Sequence, residues 1–300
     1  MQKKFIIKMA IMTLLLVAAA AMVYKLVKNN KEERERALKF ESINDLSLLS
    51  VSFLDVGPGD CTLIKDDEDV MLIDCGGPDY YEQLCTFLES HKVKKIKTLV
   101  LTNTKAEHIA NAANVINEYG VEEVYMPIIE TTDSFYDSLK FAIEVNNIKI
   151  NYPQMNDEIE FGGPDTVYRF LGHHKNEEGK YTNVDSYSLI LMVSNIKDTF
   201  LFASDGSEEE AEDILLRTRE PLKTTVYKVA DHGSYGESAN TKQFLETIAP
   251  EYAIITDHVN NTTSEDLLRY FTQNNIVTYK MSEEKTLDMI STGYGIIINE

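Results

Sequence analysis

Residues that could bind a metal ion are concentrated in one short segment. The segment LTNTKAEHIA, residues 101–110, follows an apolar run and places Glu107 next to His108. Carboxylates and neutral imidazoles are usual ligands of zinc, and a catalytic zinc ion keeps one position open for water. Asn103 and Lys105 stand where further imidazoles would be needed. The segment is therefore an active site, the remains of one, or an ordinary loop.

Other loops that follow predicted strands carry polar residues that could join this segment. The loops have the sequences LDVGPGD, LIDCGG, FASDG and VADHGS. They contribute Asp60, Asp74, Asp205, Asp231, His232 and Ser234. An Asp at the end of a strand more commonly forms a turn or caps a helix than binds a ligand. The order of these loops in one chain is therefore a stronger signal than any single residue.

Strand and helix patterns alternate through the globular part of the chain, residues 46–300. LLSVSFLDV, CTLIK and VMLID predict strands that include a hairpin, and EHIANAANVINEYG predicts a helix that ends at Gly120. A second set of elements begins with the predicted strands SYSLILMVS and DTFLFAS. Both halves open with hairpins and continue with β–α units. This pattern predicts a single α/β domain of the αββα type, with two mixed β-sheets packed face to face and helices outside.

The order of the loops resembles the metallo-β-lactamase superfamily. It is similar in particular to the extracytoplasmic hydrolase-like domain of the DNA-uptake competence protein ComEC and its stand-alone relatives. The likeness runs from about residue 48 to 299. The matching segments are Asp55–Asp60 for a DVGQGD-like turn, Leu72–Gly76 for LIDTG, Thr102–His108 for the metal motif THxHxDH, Asp205 for a late GD, and Asp231–Ser234 for HHGS.

The metal motif departs from the family pattern at several positions. Asn103 and Lys105 replace its first two histidines, Glu107 replaces its Asp, and Asp231 replaces the first His of the closing pair. Neutral Asn is a poor zinc ligand and a protonated Lys cannot coordinate a metal. The resemblance leaves four candidate metal ligands, Glu107, His108, Asp205 and His232. It places Asp60, Asp74, Asn103, Lys105, Asp231 and Ser234 elsewhere in the cleft.

Two states of such a site remain open. In the first, no metal binds and the Lys105 ammonium replaces a cation among Glu107, Asp205 and Asp231, relieving part of the repulsion between carboxylates. In the second, a single divalent ion binds, either zinc or a harder ion such as manganese. Both states argue against a two-metal site. The first predicts an impaired or inactive hydrolase homologue with a binding or regulatory role. The second predicts an active single-metal hydrolase of the phosphodiesterase or nuclease type that uses the four candidate ligands.

The N-terminal residues predict a membrane anchor. Residues 1–27 have a basic start and an apolar run from Met9 to Tyr24. Sixteen helical residues span roughly 24 Å, slightly less than a bilayer core, and the apolar residues 5–7 could lengthen the span. A charged stem, residues 28–45, then leads to the domain at 46–300. We predict a single-pass protein of the cell membrane with its domain outside the cytoplasm. Secretion after cleavage near Ala18–Ala20 is the alternative.

Charge and cysteine content limit the possible partners. Residues 1–40 contain nine Lys or Arg and three Asp or Glu, a net charge of +6. The whole chain has a net charge of −20, so the remaining 260 residues have a net charge of −26. Such an acidic domain repels nucleic-acid phosphates unless a local basic groove overcomes the repulsion. Three cysteines are too few for a disulfide framework, and an odd number cannot all be paired within one chain. The membrane is the predicted partner, and a protein partner remains possible.

Overall fold

The computed structural model describes residues 48–129, 131–172, 184–236, 238–258 and 263–299. The predicted anchor (1–27) and stem (28–45) lie outside the described residues. Within the described ranges, no helix combines the length and the apolar character needed to cross a membrane. Ser47–Glu300 form one compact unit.

Two mixed β-sheets form the centre of the domain, as the sequence predicts. The first sheet has eight strands in the order β15-β14-β1-β2-β3-β4-β5-β6, and the second has seven in the order β13-β12-β11-β10-β9-β8-β7. Strands β3 to β6 are parallel to one another, and so are β10 to β13. The first sheet comprises β1 (Leu49–Leu54), β2 (Thr62–Asp66), β3 (Asp69–Ile73), β4 (Thr98–Val100), β5 (Glu123–Tyr125), β6 (Lys149–Asn151), β14 (Thr286–Ser291) and β15 (Ile296–Asn299). The second comprises β7 (Glu158–Ile159), β8 (Thr166–Phe170), β9 (Leu191–Asn195), β10 (Asp198–Phe202), β11 (Val226–Lys228), β12 (Tyr252–Ile255) and β13 (Val277–Lys280).

Helices connect the strands. They are α1 (Tyr81–Ser90), α2 (Ala106–Ile109), α3 (Ala112–Tyr119), α4 (Ser134–Val145), α5 (Glu208–Arg217), α6 (Lys242–Ile248), α7 (Glu265–Gln273) and α8 (Met281–Glu284). The α3 helix ends at Gly120, which adopts φ 59°, as predicted from the favourable left-handed conformation of glycine. The Ser207 side chain accepts a hydrogen bond from the Glu210 amide and caps α5.

Three apolar layers hold the sheets and helices together. The middle layer joins the facing sides of the two sheets, where the Phe53 and Phe202 ring centroids lie 6.2 Å apart. An outer layer packs α1, α3 and α4 on the first sheet, and another packs α5, α6 and α7 on the second. Burying one face of each helix and both faces of each sheet excludes water from most strand positions. The predicted arrangement of mixed sheets with helices is confirmed.

The carboxyl ends of several strands meet at one end of the domain. Asp74 follows β3, residues 101–105 follow β4, Asp205 follows β10, and His232 follows β11 shortly after its end. Because neighbouring parallel strands end at the same edge of a sheet, the alternation of strands and helices brings these loops together. We call this end of the domain the cleft end.

Candidate active site

Asp74 is fixed as a hydrogen-bond acceptor beneath the site. Its carboxylate accepts bonds from the Thr102 amide, at 2.7 Å, and from the Thr102 hydroxyl. The Ser204 hydroxyl lies 2.6 Å from the same Thr102 hydroxyl. These bonds connect the loop after β3 to the loops after β4 and β10. Burial raises the pKa of the Asp74 carboxyl, which His108 partly counters.

His108 lies between two carboxylates and is fully buried. Its Nδ1 is 3.0 Å from Asp74 Oδ2 and its Nε2 is 3.1 Å from Asp205 Oδ2. Burial alone would lower the pKa of His108, but Asp205 and Asp74 raise it well above the ordinary value. Both ring nitrogens thus face carboxylate oxygens, and the two carboxylates favour the imidazolium form of His108.

Lys105 places a second positive charge beside Asp205. Its Nζ is 3.0 Å from Asp205 Oδ2 and 2.5 Å from Asp185 Oδ1. Burial opposes the charge, yet Asp205 and Asp185 raise the pKa of Lys105. Burial would raise the pKa of Asp205, but His108, His232 and Lys105 hold it well below its usual range. The predicted contact with Asp205 is present. The second partner is Asp185, which the sequence did not single out, rather than Glu107 or Asp231.

Lys228 supplies a third internal cation that sequence reasoning missed. It ends β11, is 3 % exposed, and its ammonium donates to Asp60 Oδ2. The Thr256 hydroxyl donates to the other Asp60 oxygen at 2.7 Å. Burial would raise the pKa of Asp60, but Lys228, His232 and His108 together outweigh burial and the pKa is lowered. A Lys within the apolar run TTVYKVA was the available signal, because buried lysines almost always have a charged partner.

His232 lies on a strained turn beside Asp205. Asp231 and His232 adopt φ values of 43° and 50°, a left-handed conformation that is costly for residues with a side chain. His232 Nδ1 is 3.0 Å from the Thr256 carbonyl oxygen, so it donates there. Its Nε2 then lies 3.6 Å from Asp205 Oδ1, a buried oxygen without a hydrogen-bond partner among the described residues.

Asn103 and Lys105 do not present metal ligands. The Asn103 amide nitrogen donates to Asp185 at 3.2 Å and to Ser188 at 3.1 Å. Its oxygen accepts from the Lys105 amide at 3.1 Å. An amide donor and an ammonium group thus occupy the positions of the first two histidines of the motif. These residues do not fit a two-metal site.

One metal position retains a partial ligand set. Two groups of three side chains could hold a metal ion, because in each group one ligand atom per residue lies within 4.8 Å of the other two. The first group is His108, Asp205 and His232, and the second is Asp60, Asp74 and His108. Within the described residues, Glu107 joins neither group. His108 belongs to both, and both of its nitrogens already face carboxylates. Because the two groups share His108, a metal ion bound by His108 in either group would require His108 to release a proton.

Backbone contacts join the loops that carry these side chains. A Cβ atom on Gly59 would lie 2.2 Å from the Glu107 carbonyl oxygen, so only glycine allows this approach. The Asn111 side chain donates to the Cys75 and Gly77 carbonyl oxygens at 3.0 and 2.8 Å. Asn111 was also missed from the sequence, although its helix was predicted. The loops after β1, β3 and β4 therefore form one unit.

The remaining predicted residues border the site. Burial raises the pKa of Asp231, and a hydrogen bond from the Ser234 side chain partly lowers it. The Ser234 amide donates to the Asp231 carbonyl oxygen at 2.9 Å. Both residues therefore belong to the turn that presents His232.

Comparison with known proteins agrees with the fold of the domain. Residues 54–179 match the family described as the metallo-beta-lactamase superfamily. The domain has the metallo-β-lactamase fold. A search of curated proteins gives no match. The resemblance first suggested by the loop order is thus supported at the level of the superfamily.

Solved metallo-β-lactamase-fold structures superpose on the domain at low sequence identity. The metallo-β-lactamase fold protein YhfI from Bacillus subtilis has a TM-score of 0.50 and 10% identity over 77% of this chain and 95% of its own. A mutant of the β-hydroxylase CmlA has a TM-score of 0.52 and 10% identity over 80% of this chain and 53% of its own. CmlA is a diiron enzyme from Streptomyces venezuelae. At this identity the likeness concerns the fold.

Proposed function

We propose that this chain is a membrane-tethered, ComEC-like protein that uses the metallo-β-lactamase fold for binding or regulation rather than hydrolysis. The observation that carries the proposal is the Lys105 ammonium, which pairs with Asp205 and Asp185. A hydrolase of this fold needs a metal ion near such a carboxylate to generate its nucleophile. Here a side chain of the protein supplies the positive charge.

The charges of the buried site support this proposal. Three carboxylates, on Asp60, Asp74 and Asp205, are buried close together. Three cations face them, Lys228, His108 and Lys105. Two like unit charges about 4 Å apart repel by about 4 kcal/mol at an effective dielectric constant of 20, and a divalent ion doubles the repulsion. The three cations offset the three buried carboxylates, while the Asp185 carboxylate that also pairs with Lys105 is partly exposed. An added metal meets repulsion from the ammonium groups.

An active single-metal hydrolase is the second candidate. It is favoured by Asp205 Oδ1, a buried oxygen that lies 3.6 Å from His232 Nε2 and has no hydrogen-bond partner among the described residues. A divalent ion held by His108, Asp205 and His232 would supply a bound water of lowered pKa. Glu107, the fourth predicted ligand, would have to turn toward that group.

The proposed location follows from the sequence. The apolar run in residues 1–27 and the stem at 28–45 support a single span of the cell membrane with the domain outside the cytoplasm. The net charge of −26 on residues 41–300 supports a protein partner over nucleic acid. The partner proposed for the cleft is therefore a protein.

Metal content of the purified full-length chain tests the proposal. After incubation with zinc and with manganese and removal of free metal, we expect fewer than about 0.1 equivalents by mass spectrometry, since His108 must lose a proton before it can bind metal. His232→Ala should leave this value unchanged. About one equivalent of metal that disappears in His232→Ala would establish the single-metal alternative.

The Lys105→Met variant removes the ammonium while keeping a side chain of similar length, and it should take up more metal than the native chain. Lys95→Met is the matched control, because Lys95 forms an exposed ion pair with Glu122 away from the site.

A further inference from the structure

The end of the domain opposite the cleft is where the chain enters. Strand β10 runs from Asp198 toward Asp205, so the turn before it, at Ile196 and Lys197, lies at the opposite end. The turn between β14 and β15 lies there too, and the Lys197 amide donates to the Gly293 carbonyl oxygen at 3.0 Å. Leu49 pairs with Ser291 at the start of that turn. Leu48, the first described residue, is therefore beside both turns.

Exposed apolar and aromatic side chains occur together at this point. Leu48 is 41 % exposed, Ile196 is 43 % exposed and Tyr294 is 58 % exposed. The Lys197 ammonium lies 5.2 Å from the centre of the Tyr294 ring, a favourable cation–π distance. We call these four residues the stem-end patch. Membrane interfaces typically contain aromatic rings that are exposed to water at one end. A neighbouring Lys can extend its ammonium group to the lipid headgroups.

The backbone at Ile196 adopts a conformation that is unfavourable for an Ile side chain. Its φ is 54°, and a β-branched residue at positive φ is a genuine outlier. A Cβ on Gly293 would approach Ile196 Cδ1 to 2.7 Å, so Gly293 is the residue that makes room for this side chain. A Gly or Asn at position 196 would relieve the backbone, yet would remove the exposed apolar group.

The number of residues before Leu48 limits the distance between this patch and the proposed anchor. Residues 28–47, twenty residues, separate the proposed anchor from Leu48. Even fully extended, they span at most about 70 Å. A tethered site meets its partner at an effective concentration that a free protein does not reach, so a weak contact is sufficient.

The charges at this end do not require anionic lipid. Exposed Lys92 and Lys94 follow α1, and exposed Asp67 and Glu68 form the turn between β2 and β3. Both segments lie at the end opposite the cleft, where the two signs offset each other. Apolar burial and the Tyr294–Lys197 pair therefore dominate the contact.

We propose that the stem-end patch contacts the phospholipid bilayer and so orients the cleft away from the membrane. The proposal rests on the tether of the proposed function. It adds a defined face of the domain and an orientation, neither of which follows from having an anchor.

Quenching by nitroxide-labelled lipid tests the contact in the full-length chain. The chain is placed in phosphatidylcholine nanodiscs that contain a headgroup nitroxide, with a fluorophore on Lys223→Cys or, as control, on Asp79→Cys. Lys223 precedes β11 at the stem end and Asp79 follows β3 at the cleft end, and both are exposed. Strands of five or six residues rise about 3.3 Å per residue, which separates the two ends by roughly 15–20 Å. Both labelled variants also carry Cys85→Ser, because Cys85 is partly exposed whereas Cys61 and Cys75 are buried.

We expect loss of fluorescence at position 223 and little loss at 79. The double variant Ile196→Ser, Tyr294→Ser should reduce the loss at 223. Equal loss at both positions, no loss at 223, or an unchanged signal in the double variant would overturn the proposal. Protection of position 223 from aqueous iodide without quenching by the nitroxide would identify a protein on this face and would also overturn it.

The same experiment separates this inference from the tether. A chain that fails to enter nanodiscs refutes the tether, and the orientation with it. A chain that enters but shows no quenching at 223 refutes the contact alone.

Discussion

Lys105 Nζ lies 3.0 Å from Asp205 Oδ2, the same oxygen that His108 Nε2 approaches at 3.1 Å. One carboxylate oxygen thus accepts from two cations of the protein, while the other oxygen of Asp205 has no hydrogen-bond partner within the described residues. This asymmetry divides the site into a neutralised side and a side that still lacks a donor.

Removing the Lys105 charge should make the protein responsive to zinc. Native protein should show no rise in melting temperature when zinc is added, because a ligand stabilises only the state that binds it. Lys105→Met should melt at a higher temperature with zinc than without. Without zinc it should be less stable than native by about 1–2 kcal/mol, a value between those of exposed and buried pairs. Differential scanning calorimetry measures both effects, and a zinc response of the native chain would contradict the prediction.

Removing the Lys228 charge should destabilise the domain more strongly. Lys228 and Asp60 are both buried, so Lys228→Met leaves an uncompensated carboxylate at an expected cost of about 3–5 kcal/mol. Urea denaturation measures the loss. The double variant Lys228→Met, Asp60→Asn should recover part of it, because no buried charge then lacks a partner. If the double variant were no better than the single one, lost packing of the Lys228 side chain would be the cause.

His108 should remain doubly protonated at pH 7.5. Its pKa is raised from an ordinary value of 6.5, so its stabilising contribution is fully present below pH 6.5 and is lost as pH rises through the raised pKa. Nitrogen-15 NMR of the imidazole should show two protonated ring nitrogens at pH 7.5. The stability of His108→Gln should depend less on pH above 6.5 than that of the native chain. A neutral ring at pH 7.5 would mean that the site is poised to accept a metal.

A substitution remote from the site should stabilise the fold. Ala249 ends α6 with φ 37° and is exposed, and glycine is the favoured residue in this left-handed position. Ala249→Gly should raise the free energy of unfolding by about 1 kcal/mol. Ala113→Gly within α3 is the opposite control and should lower it by a similar amount. Both are measured by urea denaturation, and a loss of stability in Ala249→Gly would contradict the backbone argument.

Much of the fold was predictable because its signals are local. The alternation of apolar strands with helical patterns predicted two mixed sheets, and the loop order predicted which turns meet. Asp74, Asp205 and His232 follow strands of two different sheets, and it was the resemblance in loop order that grouped them before any distance was known. Residues 1–45 lie outside the described part, and the anchor stays a prediction.

The partners of the site residues were not predictable, because they depend on tertiary packing. Asp185 reaches Lys105 from a short 3₁₀ turn at Val184–Tyr187, and no sequence spacing relates the two. Lys228 is in a strand that reads as apolar, and only the loop after β1 explains its charge. The sequence identified which histidines were replaced. The cations that neutralise the carboxylates are visible only in three dimensions.

The contact between Gly59 and the Glu107 carbonyl oxygen restricts how activity could be engineered into this chain. Replacing Asn103 and Lys105 by histidines changes side chains, but the backbone that carries them rests directly against the loop after β1. A donor segment for residues 101–110 whose backbone differed there would collide with residues 57–60. Active-site transplants into this scaffold would therefore need to exchange the two loops as a single cassette.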